Sequence, residues 1–173
     1  MSSAILYLGL VLAGVLERVA ELVVSQRHIR WAMARGGVES GRGHYPVMVA
    51  LQVGLGAGCV AEVFVLDRPF VPALGWSMLA VVLASQALRW WCIATLGQRW
   101  STRVVVIPGL PLVKGGPYRW LRHPNYIAVA AEGIAFPLVH SAWITALCFT
   151  LLNSMVLTVR IRTEDRALAA AAM

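Results

Sequence analysis

Five stretches of this chain are almost emptied of charge. Residues 4–24, 45–65, 71–96, 126–139 and 143–159 are apolar runs, and nearly all of the Arg side chains fall between or after them. A helical run of about 20 apolar residues matches the roughly 30 Å hydrocarbon thickness of a bilayer. A helix also satisfies every backbone group within one such run, which lipid cannot do for it. The chain is 59% hydrophobic and 13% charged, whereas a soluble domain carries roughly a quarter charged residues. The expected fold is therefore an all-α integral membrane protein of about five transmembrane helices. The fourth run is short for a crossing. It joins the fifth through His140-Ser141-Ala142, so the two form a C-terminal helical hairpin.

The connectors alternate in charge. Twelve Lys and Arg residues lie in the segments after the first run, after the third run and in the tail, against Arg68 alone on the opposite side. By the positive-inside rule this places those three segments in the cytoplasm and the N-terminus outside. The net charge of +7 is also compatible with nucleic-acid binding. That class is set aside because the basic residues cap apolar segments and form no separate basic domain. The first run has no charged leader before it and reads as a retained span of a bacterial inner or plasma membrane. The three cysteines are scattered with no CxxC pair, so neither a zinc site nor a disulfide framework is expected.

Polar groups inside apolar runs need partners, because an unpaired charge at mid-bilayer costs about 2.5–3.5 kcal/mol on insertion scales. Arg18 can pair with Glu21 at i+3. Glu62 and Arg89 can be partners of each other. Glu132 has two readings: an ion pair, with Arg89 as its candidate partner, or a base in an acceptor pocket. Gly54, Gly56 and Gly58 can let helices approach closely. Trp90, Trp91, Trp100 and Trp120 read as an interfacial belt.

The least apolar stretch, residues 97–125, holds a short strand-like piece, RVVVI, and two Gly-Pro turns. Its end, GGPYRWLRHPNY at 115–126, is followed by RIRTED at 160–165. A hairpin returns its two ends to one membrane face, so these polar segments should be neighbours. Taken alone, Arg119 and Arg122 are simple interfacial anchors, His123 is a loop histidine, and Glu164-Asp165 is a solvated helix face.

The pairing of these two strings resembles the isoprenylcysteine carboxyl methyltransferase family, whose C-terminal half is shared by membrane phospholipid methyltransferases. The resemblance covers roughly residues 96–168. It implies S-adenosylmethionine as cofactor, held between the last helices by the segment at Lys114 and Gly116, by Tyr118, Arg122, His123 and Tyr126, and by Glu164. It also implies that Arg160 orders the acceptor or pairs with the acidic residues beside it. Catalytic roles are thus expected for Arg160, Glu132 and Glu164. The division expected is an N-terminal part, 1–96, giving access to the acceptor, and a cofactor-binding part, 97–173, facing the cytosol.

The physical reading runs parallel. A carboxylate end suits Arg or backbone N–H donors, a ribose suits a carboxylate, and an adenine suits an apolar slot. Pro124 sets the start of a helix whose free N–H groups can hold an anion. Methyl transfer is a displacement governed by positioning. A carboxylate acceptor needs no base, whereas a phenol or enol does, with His123 or Glu132 as candidates. The string running from Thr95 through Trp100 and Thr102-Arg103-Val104 resembles bacterial enzymes that O-methylate alkylpyrones and alkylresorcinols. The expected partners are accordingly a lipophilic or prenylated acceptor and membrane lipid. A transporter would more often show repeated halves, and an NADPH-dependent reductase would need further basic residues for the 2'-phosphate.

The charge asymmetry carries its own test. A reporter fused after Met173 is expected to read as cytosolic, and an external reading would reverse the topology.

Overall fold

The computed structural model describes residues 2–171. It contains five helices: α1 (Ser2–Met33), α2 (Tyr45–Val65), α3 (Pro72–Leu96), α4 (Pro124–Leu138) and α5 (Trp143–Ala171). Two short strands, β1 (Val38–Ser40) and β2 (Val104–Val106), pair antiparallel with Val38 opposite Val106 and Ser40 opposite Val104. α1, α2, α3 and α5 are each long and apolar enough to cross a membrane. They turn Leu6, Leu16, Val53, Leu83, Leu147 and similar side chains outward. Such faces are a liability in water and the natural surface of a helix bundle in lipid. The chain is a multi-pass membrane protein.

The expected strand at 103–107 is present, but its partner in the first connector carried no signal of its own. α1 runs nine residues past the expected end at 24. The polar segment QRHIRWAM is a good helix former once carried out of the bilayer. α1 stops where Gly36 takes a φ of 77° and Gly37 N–H donates to Ala32 O at 2.9 Å, a C-terminal glycine cap. The charged tail continues α5 as far as Ala171, so residues 167–171 of the alanine-rich end are helical.

With 15 residues, α4 spans only about 22 Å. It survives as a short helix because it is sheltered: Tyr126, Ala128, Glu132, Ala135, Phe136 and Leu138 on it are all buried. α3 and α5 pack on it. At Gly133 an added Cβ would lie 2.3 Å from the Phe149 ring, so the α4–α5 contact depends on glycine there. By contrast, Gly54 and Gly56 face open space and only Gly58 touches α5, at Thr145. The glycine run of α2 is thus a close-packing site at one position and not at three.

The charges inside the bundle form two groups. Arg18 Nη2 lies 2.6 Å from both oxygens of Glu132, and its Nη1 lies 2.6 Å from Glu21. Arg89 also bonds Glu132 and sits 3.4 Å from Glu21, while Gln86 donates to Glu132 at 2.9 Å. Arg89 and Glu62 are not partners. A link of residues 66–71 joins α2 to α3, so Glu62, in the last turn of α2, is near the start of α3. Arg89 lies about five turns further along it.

Glu62 does other work. It accepts from the backbone N–H of Ile144 at 3.0 Å and of Thr145 at 2.7 Å, from the Thr145 hydroxyl at 2.8 Å and from Arg68. It is a capping carboxylate for α5 supplied by another helix, favoured by the helix dipole. Glu62→Ala leaves those donors bare in an apolar setting. It is expected to destabilise the fold by about 2–4 kcal/mol, read from denaturation in detergent micelles. An unchanged midpoint would show that the start of α5 does not depend on this cap.

Candidate active site

The Arg-rich end of the bundle holds a half-open cavity of about 470 Å³. The extended end of α1, the segment from 96 to 114 and the starts or ends of α4 and α5 all line it. β1 closes over part of that segment. Glu39 lies 3.2 Å from Arg42 and 3.4 Å from Arg103, and Arg103 stacks over Tyr45 at 4.8 Å. The loop beyond β2 is pinned by Arg99 donating to Pro111 O at 2.7 Å and by Gly109 N–H donating to Ala171 O at 3.3 Å.

The two motif strings meet here, as the hairpin geometry requires. His123 sits at the N-cap of α4. Its ring stacks on Tyr126 with centroids 5.5 Å apart, and Nε2 lies 3.2 Å from Asp165. The Tyr126 hydroxyl donates to Glu164 and accepts from Arg160 Nε at 2.8 Å. Arg160 is buried, and its Nη1 points at Met48 Sδ on α2, 2.9 Å away. Tyr118 is positioned by its N–H donating to Gly115 O at 3.1 Å. Burial, followed by the neighbouring Cys92, pushes its phenol well above the ordinary tyrosine range, so it is a neutral hydrogen-bonding group. Lys114 and Arg122 are exposed at the rim.

Of the residues singled out in the sequence, Lys114, Tyr118, Arg122, His123, Tyr126, Arg160 and Glu164 line this cavity. Gly116 and Glu132 do not. Gly116 shapes the wall from behind: its φ is +52°, and an added Cβ would lie 2.4 Å from Thr95 Oγ1 and 3.1 Å from Trp91 Nε1. Glu132 lies about 9 Å along α4 from Tyr126. Both its oxygens are held by Arg18, Arg89 and Gln86. The ion-pair reading of Glu132 is thus the arrangement seen, with Arg18 as a second partner.

Other cavity residues escaped the sequence reading. Trp100 is 4% exposed and is a wall of the cavity instead of part of the interfacial belt. Trp100 Nε1, Arg103 Nε and Asn125 Oδ1 are buried atoms with no hydrogen-bond partner, and all three residues line the cavity. Orphaned polar atoms around one cavity are expected where a polar ligand completes the set. Asn125 stands inside the RHPNY string and was the one legible from its motif. His28, on the extension of α1, has no motif around it.

The donor set fits the cofactor that the motifs imply. Lys114 and Arg122 offer cationic donors to a carboxylate, Glu164 keeps one oxygen for hydroxyls, and the apolar wall with its orphaned polar edges suits a flat heterocycle.

The isoprenylcysteine carboxyl methyltransferase family model matches residues 78–170, more than half of the chain. The match starts in α3 and ends in α5, so it holds both motif strings and leaves α1 and α2 outside. The chain belongs to this family of membrane methyltransferases. It is also similar, at 36% identity over 155 residues, to a Bacillus subtilis protein described as uncharacterized protein YpbQ, covering 89% of this chain and 91% of that one. An uncharacterized protein of Haemophilus influenzae is 24% identical over 167 residues, covering 94% and 95% of the two chains.

The glycine pair tests how tightly the wall must be shaped. Gly116→Ala combines a left-handed φ with the Thr95 clash and is expected to lower methyl transfer by about tenfold or more, as misplacement of a positioning element does. Gly115→Ala, whose Cβ would meet Thr95 at an ordinary 3.8 Å, should stay close to wild type. Equal activities would show that the turn does not set the site.

Proposed function

We propose that the protein is an S-adenosylmethionine-dependent O-methyltransferase whose acceptor is a long-chain polyketide hydroxyl, of the alkylpyrone or alkylresorcinol kind. The observation that carries this is the cavity: the motif residues converge on one half-open, largely apolar space at the Arg-rich end of a membrane bundle. An amphiphile can reach such a space sideways from the bilayer, keeping its tail in lipid and presenting its head to the cofactor. In this reading Lys114, Arg122 and the N–H groups near Gly116 hold the cofactor's carboxylate. Glu164 takes its ribose, and His123 and Tyr126 support Glu164 and Asp165. Bound there, the cofactor supplies an electrophilic methyl group. Arg160, with one face on Tyr126 and the other on Met48 of α2, orients the acceptor. The site faces the cytosol, where the cofactor is made. Glu132 serves the bundle as an ion-pair hub.

One observation favours a second acceptor. The cavity wall carries Arg99, Arg103, Lys114, Arg122 and Arg160 against Glu164 and Asp165. That cationic excess suits a carboxylate head, as in an isoprenylcysteine.

Incubating detergent-purified protein with methyl-labelled cofactor and a membrane lipid extract, then identifying the labelled lipid, decides between them. A labelled methyl ether of a hydroxylated long-chain polyketide is expected, and a labelled ester would favour the carboxylate. In titration calorimetry, His123→Ala and Glu164→Ala should each weaken cofactor binding by about tenfold or more, the loss of a charge-assisted contact. Unchanged affinity in both folded variants would remove this placement of the cofactor.

A further inference from the structure

We propose that His28, on the extension of α1, is the general base of the site, and that the acceptor therefore presents a hydroxyl that must lose its proton. The proposal rests on the methyl-transfer reading above and adds to it a residue from outside the family match. His28 lines the cavity. Its Nδ1 lies 2.9 Å from the carbonyl oxygen of Trp100. A carbonyl can only accept, so the proton of the neutral ring is on Nδ1 and the lone pair is on Nε2. Among the described residues no hydrogen bond engages Nε2. An imidazole that lines a cavity, is oriented at one nitrogen by a fixed acceptor and keeps its other nitrogen unengaged has the arrangement a protein base needs.

The orientation is held from both sides. Trp100 N–H donates to Gly97 O at 3.0 Å, which fixes the peptide that carries the carbonyl's residue. One turn earlier on α1, the Ser25 hydroxyl lies 2.9 Å from Thr102 N and 2.8 Å from Thr102 Oγ1. Residues 100–102 are thus fastened to α1 at two positions three apart, Ser25 and His28. The Trp100 ring meets the His28 ring edge-on, with centroids 6.4 Å apart and planes at 90°, an arrangement favourable to aromatic pairs.

The other bases considered serve elsewhere. His123, the second histidine of the cavity, stacks on Tyr126 and lies against Asp165 in the group assigned to the cofactor, and Glu132 lies outside the cavity in its ion pairs. Arg99 and Arg103 flank Trp100 and line the same cavity, a positive setting for an oxygen that is losing its proton. The step balances as follows. The acceptor O–H proton passes to His28 Nε2 while the oxygen pair forms the O–CH₃ bond. The S–CH₃ bond of the sulfonium donor breaks, its electron pair stays on sulfur, and a neutral thioether leaves. The imidazolium then releases its Nε2 proton to water. A carboxylate acceptor arrives already ionised and would gain nothing from this group.

The test uses the full chain in detergent, with His28→Ala and His28→Gln, and three long-chain amphiphiles headed by resorcinol, by 4-nitrophenol and by a carboxylate. Both variants should bind S-adenosylmethionine as the wild type does, because His28 is assigned to the acceptor. With the resorcinol head, kcat should fall by about 100-fold or more with little change in KM, in the range for losing a general base. With the more acidic nitrophenol head the loss should shrink to about tenfold or less, and added imidazole should restore part of the rate to His28→Ala. A readout independent of turnover is the absorbance of the nitrophenol amphiphile bound together with S-adenosylhomocysteine: it should be more ionised on the wild type than on either variant at the same pH.

Equal losses for both hydroxyl heads, or no loss, would overturn the assignment of a base. Transfer by the wild type to the carboxylate head alone would overturn the hydroxyl class while leaving methyl transfer intact. Failure of the wild type to bind S-adenosylmethionine would instead sink the reading on which the proposal rests.

Discussion

Glu132 is where the bundle is tied together by charge. Arg18 from α1 and Arg89 from α3 both close on this one carboxylate of α4. Each of the three groups would be costly alone in lipid, and Glu21, which also faces both arginines, completes the cluster. The family match begins within α3, and α1 belongs to the part that has no match. The ion pair from Arg18 therefore fastens an unmatched helix to the matched ones. It holds the exit of α1 beside the start of α4, which is the placement the cavity requires. A short, buried α4 is what makes this possible, because its carboxylate is screened from lipid by its neighbours.

Much of this is legible in the amino-acid sequence. The five helices follow from where charge is missing, and the meeting of RHPNY with RIRTED follows from the return of a hairpin. The partnership of Arg89 with Glu132 was one of two readings that cost allowed, and its rival, Arg89 with Glu62, fails on depth alone. A residue near the end of α2 and one near the end of α3 lie at opposite ends of the bundle. That argument needed only the order of the helices and a short link between α2 and α3.

What stayed hidden has a common cause. The extension of α1, the strand β1 and the burial of Trp100 all lie outside the bilayer runs, where apolar periodicity says little. Val38–Ser40 is too short to announce itself, and it becomes a strand because Val104–Val106 offers an edge. Trp100 looked like a belt residue because tryptophan beside an apolar run usually is one. It is instead covered once the segment after α3 folds back over α1. The glycines of α2 show the opposite error. The spacing suggested a packing face, yet only Gly58 has a helix against it.

On the proposed reading the two parts of the chain, 1–96 and 97–173, meet at one cavity, to which both contribute. The residues proposed for the cofactor are concentrated in the two motif strings, inside the family match. The residues that would meet the acceptor come from α1 and α2: His28 beside Trp100, and Met48 against the far side of Arg160. No motif marks them, and both lie outside the family match. Arg160 is the hinge of that argument. Its Nε serves Tyr126, which serves Glu164, while its Nη1 faces a thioether that satisfies it only weakly. A buried guanidinium left with so soft a partner on one side is better completed by an oxygen-bearing head than by protein. Under the proposed assignment the boundary between cofactor and acceptor runs through Arg160, and a change of acceptor would call for substitutions on α1 and α2 while the motif strings stay as they are.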